Sequence, residues 1–106
     1  MKYLVGLVFS LFSSSAFAGV WHIDSVNSIY PLANGDFVVT FKNPPDSCIN
    51  ESKYFYVKVG SNSMTQEGSE KIYSLAMTAA TTGKKLKVYF DETSSLCHVN
   101  RAQVSF

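Results

Sequence analysis

Apolar and polar residues alternate along most of this chain, and the alternation breaks once. In Asp36–Lys42, Phe37, Val39 and Phe41 share one face while Val38, Thr40 and Lys42 share the other. In Tyr54–Val59, Phe55, Val57 and Val59 point one way, and Tyr54, Tyr56 and Lys58 the other. Lys84–Phe90 repeats the pattern, with Leu86, Val88 and Phe90 inward and Lys85, Lys87 and Tyr89 outward. Val99–Phe106 follows, with Ala102, Val104 and Phe106 set against Arg101, Gln103 and Ser105. This period of two marks half-buried strands. An earlier run, Trp21–Tyr30, begins with Trp21 and Ile23 in phase, but Val26 and Ile29 fall on opposite parities. It predicts a first strand with a bulge. Pro31 ends that strand, and Asn34-Gly35 supplies a hairpin turn.

The break lies between the third and fourth strands. Ser69–Thr82 has helical periodicity, with Ser69 as N-cap, Glu70 in the first turn and Gly83 at the C-terminal stop. Ile72, Tyr73, Leu75, Ala76, Met77, Ala79 and Ala80 fill an apolar arc of about 200°, wider than the roughly 100° that a surface helix needs. Only Glu70 and Lys71 are charged. The surplus either covers a neighbouring subunit, with Tyr73, Met77 and Ala80 as interface residues, or reflects small alanines packing closely within one subunit.

Five strands with one helix between the third and fourth is the element order of an OB-fold, a small Greek-key barrel. The chain is expected to be mainly β, an OB-fold-like five-stranded barrel. The competing arrangement is an open α+β sheet with the helix across one face.

Composition narrows the setting. Residues 1–18 read as a cleaved secretory signal: Lys2, an apolar run over Tyr3–Phe12, and Ala16-Phe17-Ala18 ahead of Gly19. Residues 19–106 then form a single domain in a secreted or periplasmic protein, with no integral membrane segment after cleavage. So small a domain buries only about 60% of its unfolded surface and usually needs a staple. Cys48 and Cys97, the two cysteines of the chain, read as a disulfide in an exported protein. Closing a loop of about 49 residues is valued at roughly 4 kcal/mol by the chain-entropy model. Nine Lys and Arg stand against eight Asp and Glu, and loss of Lys2 leaves residues 19–106 neutral. Neutrality and export argue against a nucleic-acid partner.

The residues from Ile72 to Phe90, IYSLAMTAATTGKKLKVYF, followed by Cys97 and a closing strand, resemble small secreted bacterial proteins. These are the B subunits of pentameric AB toxins, most similarly the subtilase-cytotoxin and typhoid-toxin group. The first half of the chain matches them in element order alone. The resemblance implies an OB-fold subunit that forms a ring with its helices around the axis. It implies a glycan or glycoprotein ligand on host cells, a homo-oligomer, and an enzymatic toxin subunit as possible partner. The chain is shorter than those subunits, and no sugar-contacting residue is carried over from them.

No catalytic motif accompanies these features. His22, Asp24 and Ser25 lie close together, but without a nucleophile elbow they read as a surface pair and a neighbour. His98 follows Cys97, whose sulfur has no nucleophilic role in a disulfide. There is no phosphate-binding glycine loop and no metal-ligand spacing, so neither a metal nor another cofactor is expected. Asn50-Glu51-Ser52 is formally a glycosylation sequon, read here as chance in a polar loop. The better candidate surface is Thr40, Lys42, Tyr54, Tyr56, Lys58 and Tyr89, outward-facing residues of the second to fourth strands. Sugar rings stack on aromatics, their hydroxyls meet polar groups, and an acid meets lysine. Two functions are carried forward. One is a secreted, non-catalytic, oligomeric binding subunit for a glycan or other host-surface ligand. The other is a monomeric secreted or periplasmic protein-interaction module, such as an inhibitor or accessory subunit.

Overall fold

A computed structural model describes residues 19–106; the predicted signal lies outside the described residues. Six strands and one helix run in the order β1 (Gly19–Asp24), β2 (Val26–Pro31), β3 (Phe37–Phe41), β4 (Phe55–Val57), α1 (Gln66–Thr82), β5 (Leu86–Asp91) and β6 (Val99–Gln103). They form two antiparallel three-stranded sheets, β1-β5-β6 and β2-β3-β4. Among the described strands no ladder closes the two sheets into one barrel. The helix packs against β2, β5 and β6.

The chain has six strands rather than the expected five, because the expected first strand is two. Asp24 is buried at the end of β1, where Oδ1 accepts from the Ser25 N–H at 2.7 Å and Oδ2 from the Asn43 N–H at 2.6 Å. The Ser25 carbonyl accepts from the Lys42 N–H at 3.1 Å. These bonds fix a corner at Ser25, so that β1 pairs with β5 and β2 with β3. The parity shift read as one bulge is therefore a corner at Ser25 plus a register shift between Val26 and Ser28.

The Asn34-Gly35 turn forms as its residues dictate. Gly35 takes φ 98°, and the Asn34 side chain accepts from the Asp36 N–H at 3.0 Å. Asp36 Oδ1 in turn accepts from the Val59 N–H at 3.2 Å. This tie draws the chain out of the sheet after Val57. Val59, expected to face the core, is instead 38% exposed, and Met64 from the following loop enters the core. Val38, expected outward, is fully buried, because on the outer face of the sheet it pairs with Tyr30 on one side and Tyr56 on the other.

The helix starts earlier than Ser69. Thr65 is the N-cap, and its Oγ1 accepts from the Gly68 N–H at 3.0 Å. Ser69 lies buried within the helix. Gly83 ends it at φ 74°, the left-handed conformation a glycine stop supplies. Ile72, Ala76 and Ala79 face the core. The hydroxyls of Thr78, Thr81 and Thr82 donate to carbonyls one turn back, which satisfies the uncharged outer face from within.

Leu86, Val88 and Phe90 are buried as the alternation requires. In β6 a register shift opposite Tyr89 and Phe90 puts Val99 inward. The strand ends at Gln103, and Phe106, expected inward, is 82% exposed. Phe55 joins the two sheets, its ring 5.0 Å from Phe41 and 4.8 Å from Phe90. The Cys48–Cys97 disulfide forms, with Cα atoms 5.7 Å apart and both residues fully buried.

Candidate functional site

The six candidate ligand-face residues do not form one surface. Thr40, Tyr54 and Tyr56 lie together on the outer face of β2-β3-β4. Tyr30 and Ser28, not foreseen there, join them. The Tyr30 and Tyr54 rings meet edge-on at 5.4 Å, and Tyr54 and Tyr56 lie 6.3 Å apart. The Ser28 and Thr40 hydroxyls are hydrogen bonded at 2.5 Å. A hydrogen bond with Tyr54 is the main cause that pushes the Tyr30 hydroxyl up to about 12. None of these five residues carries a charge at neutral pH. Lys42 stands elsewhere, lining a small hollow with Ser25, Ala79, Ala80 and Lys84. Lys58 lies past the end of β4, close enough to His98 to oppose its protonation.

Tyr89 belongs to the other sheet. On the outer face of β1-β5-β6 the register places Trp21, Tyr89 and Arg101 in one row, and Ile23, Lys87 and Gln103 in the next. The Trp21 and Tyr89 rings are 4.9 Å apart. Lys87 Nζ sits 4.8 Å from the Trp21 ring centre, and the Arg101 guanidinium 4.7 Å from that of Tyr89. The Tyr89 ring lies over Gly19, in the space a Cβ there would take. Two aromatic rings, each with a cation, thus share one surface, and Ile23 beside them is 57% exposed. Trp21 and Arg101 join Tyr89 only through the pairing of β1 and β6 with β5, which local alternation does not reveal. The sequence signals for this surface are the outward parity of Lys87 and Tyr89, that of Arg101 and Gln103, and the shared phase of Trp21 and Ile23.

On the helix, Met77 is 40% exposed and Ala80 is exposed. Tyr73 is half-buried, edge-on to Phe37 at 5.0 Å. With Pro31, Phe37, Glu70 and Ser74 it lines a hollow of about 360 Å³ between the β2–β3 turn and the helix.

His22 and Asp24 prove not to be a surface pair. Both face inward, with His22 Nε2 3.7 Å from Asp24 Oδ2 and their side chains 15% and 9% exposed. Burial lowers the His22 pKa, and Asp24 only partly offsets this. Burial also acts to raise the Asp24 pKa, but the N–H groups of Asn43 and Ser25 outweigh it and hold the carboxyl below its ordinary value. His98 is likewise lowered, first by burial and then by Lys58, against the pull of Asp91. Its Nδ1 is bonded to the Ser94 hydroxyl at 2.7 Å.

Asn50 is occupied as well. Its Nδ2 donates to the Tyr54 carbonyl at 2.9 Å, and its Oδ1 accepts from the Tyr54 N–H at 2.9 Å, beside both disulfide sulfurs. The sequon asparagine braces the disulfide loop. Among the described residues no group of three or more His, Cys, Asp or Glu is placed to hold a metal, and no helix is long and apolar enough to cross a membrane.

No protein-family model matches the chain, and no curated protein matches its sequence. Solved structures do match its fold. The cholera toxin-like B-subunit from Citrobacter freundii superimposes with a TM-score of 0.59 at 13% identity, over 92% of this chain and 96% of that one. Human heat-labile enterotoxin, solved in complex with a blood group A antigen analog, gives a TM-score of 0.62 at 13% identity and the same coverage. The resemblance to AB-toxin B subunits, first read from the C-terminal residues, therefore extends to the fold of nearly the whole chain.

Proposed function

We propose that this chain is a secreted, non-catalytic binding subunit of the toxin B-subunit kind. It loses residues 1–18 on export, self-associates through the outer side of α1, and recognises an acid-bearing glycan on a host surface. The Trp21–Tyr89 row with Lys87 and Arg101 carries the reading. An exposed cation–π contact is worth about 0.5–1 kcal/mol. A charge-assisted hydrogen bond to a carboxylate is stronger. An acidic sugar would draw Lys87 or Arg101 off its ring and stack on the aromatic face thus uncovered. The six strands fit an OB-like architecture in which the first strand bends at Ser25 to serve both sheets. The fold shared with toxin B subunits, one of them solved with a blood group antigen analog, supports the ring and the glycan. An enzymatic toxin subunit would be the partner of such a ring.

A glycan array probed with the wild type, Trp21→Ala and Tyr56→Ala tests the site. Binding lost in Trp21→Ala and kept in Tyr56→Ala supports it; a blank array overturns it. One observation favours the second reading, a monomeric protein-interaction module. The uncharged tyrosine surface of Tyr30, Tyr54 and Tyr56 has the residue type enriched in protein interfaces. That reading predicts a monomer and a protein partner whose capture fails in Tyr56→Ala.

A further inference from the structure

Among the described strands β1 is an edge strand, with β5 as its hydrogen-bonded neighbour. Its inner face is held to the opposite sheet by His22. The imidazole meets Phe41 edge-on at 4.9 Å and lies nearly parallel to Phe55 at 6.2 Å. Its cross-strand partner on β5 is Val88. The strands β3, β4 and β5 thus each present an apolar side chain to it. Among the groups described, Asp24 on β1 itself is the charge that faces it. His22 Nε2 is buried and has no hydrogen-bond partner. A neutral imidazole with Nε2 as the bare acceptor tolerates this place. An imidazolium does not, because both ring nitrogens then carry protons that need acceptors. Asp24 is a poor rescuer. Its Oδ2 lies 3.7 Å from Nε2, beyond hydrogen-bond distance, and the bonds from Asn43 and Ser25 that make the corner hold it there. Bringing the carboxylate onto His22 would move it against that corner.

We infer that His22 is an acid-sensitive latch: protonation releases β1 from the opposite sheet. The lowered pKa of His22 sets the sign. The strand is held fully above the unfolded histidine value of about 6.5, and the hold weakens as pH falls below it. Trp21 and Ile23 alternate with His22 on the same strand, so losing the backing of the opposite sheet loosens the edge ladder with β5 and with it the Trp21–Tyr89 row. That last consequence alone rests on the glycan reading; the latch itself needs no ligand.

Trp21 is the chain's single tryptophan and adjoins His22, so its emission reports on β1 directly. Titrating the oxidised protein from about pH 7.5 to 5 should shift Trp21 emission to the red. The shift should vanish in His22→Gln and persist in His98→Gln. Amide exchange of residues 19–24, corrected for intrinsic rates, should lose protection at least several-fold over the same range in the wild type. This second measurement decides the matter even where His22→Gln fails to fold. Protection that is constant or rises with acid, as an ion pair locking His22 to Asp24 would give, overturns the latch. So does a red shift retained in His22→Gln.

Discussion

The helix offers two substitutions, one turn apart, that separate folding from assembly. Tyr73 is half-buried and edge-on to Phe37, whereas Met77 is 40% exposed and projects from the outer side. A fully buried aromatic cut to alanine costs about 3–5 kcal/mol. Tyr73 is only partly covered, so Tyr73→Ala should cost about 2 kcal/mol, including an aromatic pair worth about 0.5–1.5 kcal/mol. Met77→Glu removes no core contact and should change the stability of the subunit by about 0.5 kcal/mol or less. A carboxylate placed in an apolar subunit interface is a different matter, since it is desolvated there without a partner. Urea unfolding, read beside sedimentation velocity, tells the two apart. Tyr73→Ala should lower the midpoint, while Met77→Glu should leave the midpoint in place and shift the sedimenting species to a monomer. Equal destabilisation by Met77→Glu and Tyr73→Ala would place Met77 in the core and refute the separation. An assembled wild-type species left unchanged by Met77→Glu would refute it equally.

Asn50→Ala should cost about 1–3 kcal/mol, because it leaves the Tyr54 N–H and carbonyl without their partners; a urea melt measures the loss. Reducing the Cys48–Cys97 bridge should remove up to about 4 kcal/mol, read as a fall in the unfolding midpoint under reductant. Global stability should decline as pH falls below about 6.5, because burial lowers both His22 and His98 and the unfolded chain then binds more protons. Thermal melts between about pH 7.5 and 5 should show this, and a double His22→Gln, His98→Gln variant should flatten the slope.

Much of the fold was legible because local patterning and topology agree. Phe37, Val39 and Phe41, and likewise Leu86, Val88 and Phe90, obey the alternation and are buried. Gly83 ends the helix where a glycine stop belongs. The misses share a cause, which is that long-range bonds override local pattern. Asp24 reaches Asn43 and cuts the first strand in two. Asp36 takes the Val59 N–H and ends β4 early. Val38 is buried by tyrosines from the neighbouring strands, something alternation within its own strand cannot reveal. The helix starts ahead of Ser69 because the Thr65 hydroxyl takes the Gly68 N–H, which makes Thr65 the cap. The ligand surface divided for a similar reason. Tyr54 and Tyr89 both alternate outward, but β4 and β5 lie in different sheets. The partners of Tyr89, Trp21 and Arg101, are set by cross-strand register, which the sequence does not display.

We propose that the Trp21–Tyr89 row, with its two cations, binds an acid-bearing sugar. Because Trp21 is the single tryptophan, titration of its fluorescence reports binding at this surface. The direct comparison is a carboxylated oligosaccharide against the same compound with its carboxylate reduced to the alcohol. Trp21 emission should change with the acid, and affinity should be at least about tenfold weaker for the alcohol, a difference of about 1.4 kcal/mol. Equal affinity for the two compounds, or no response to either, would contradict it.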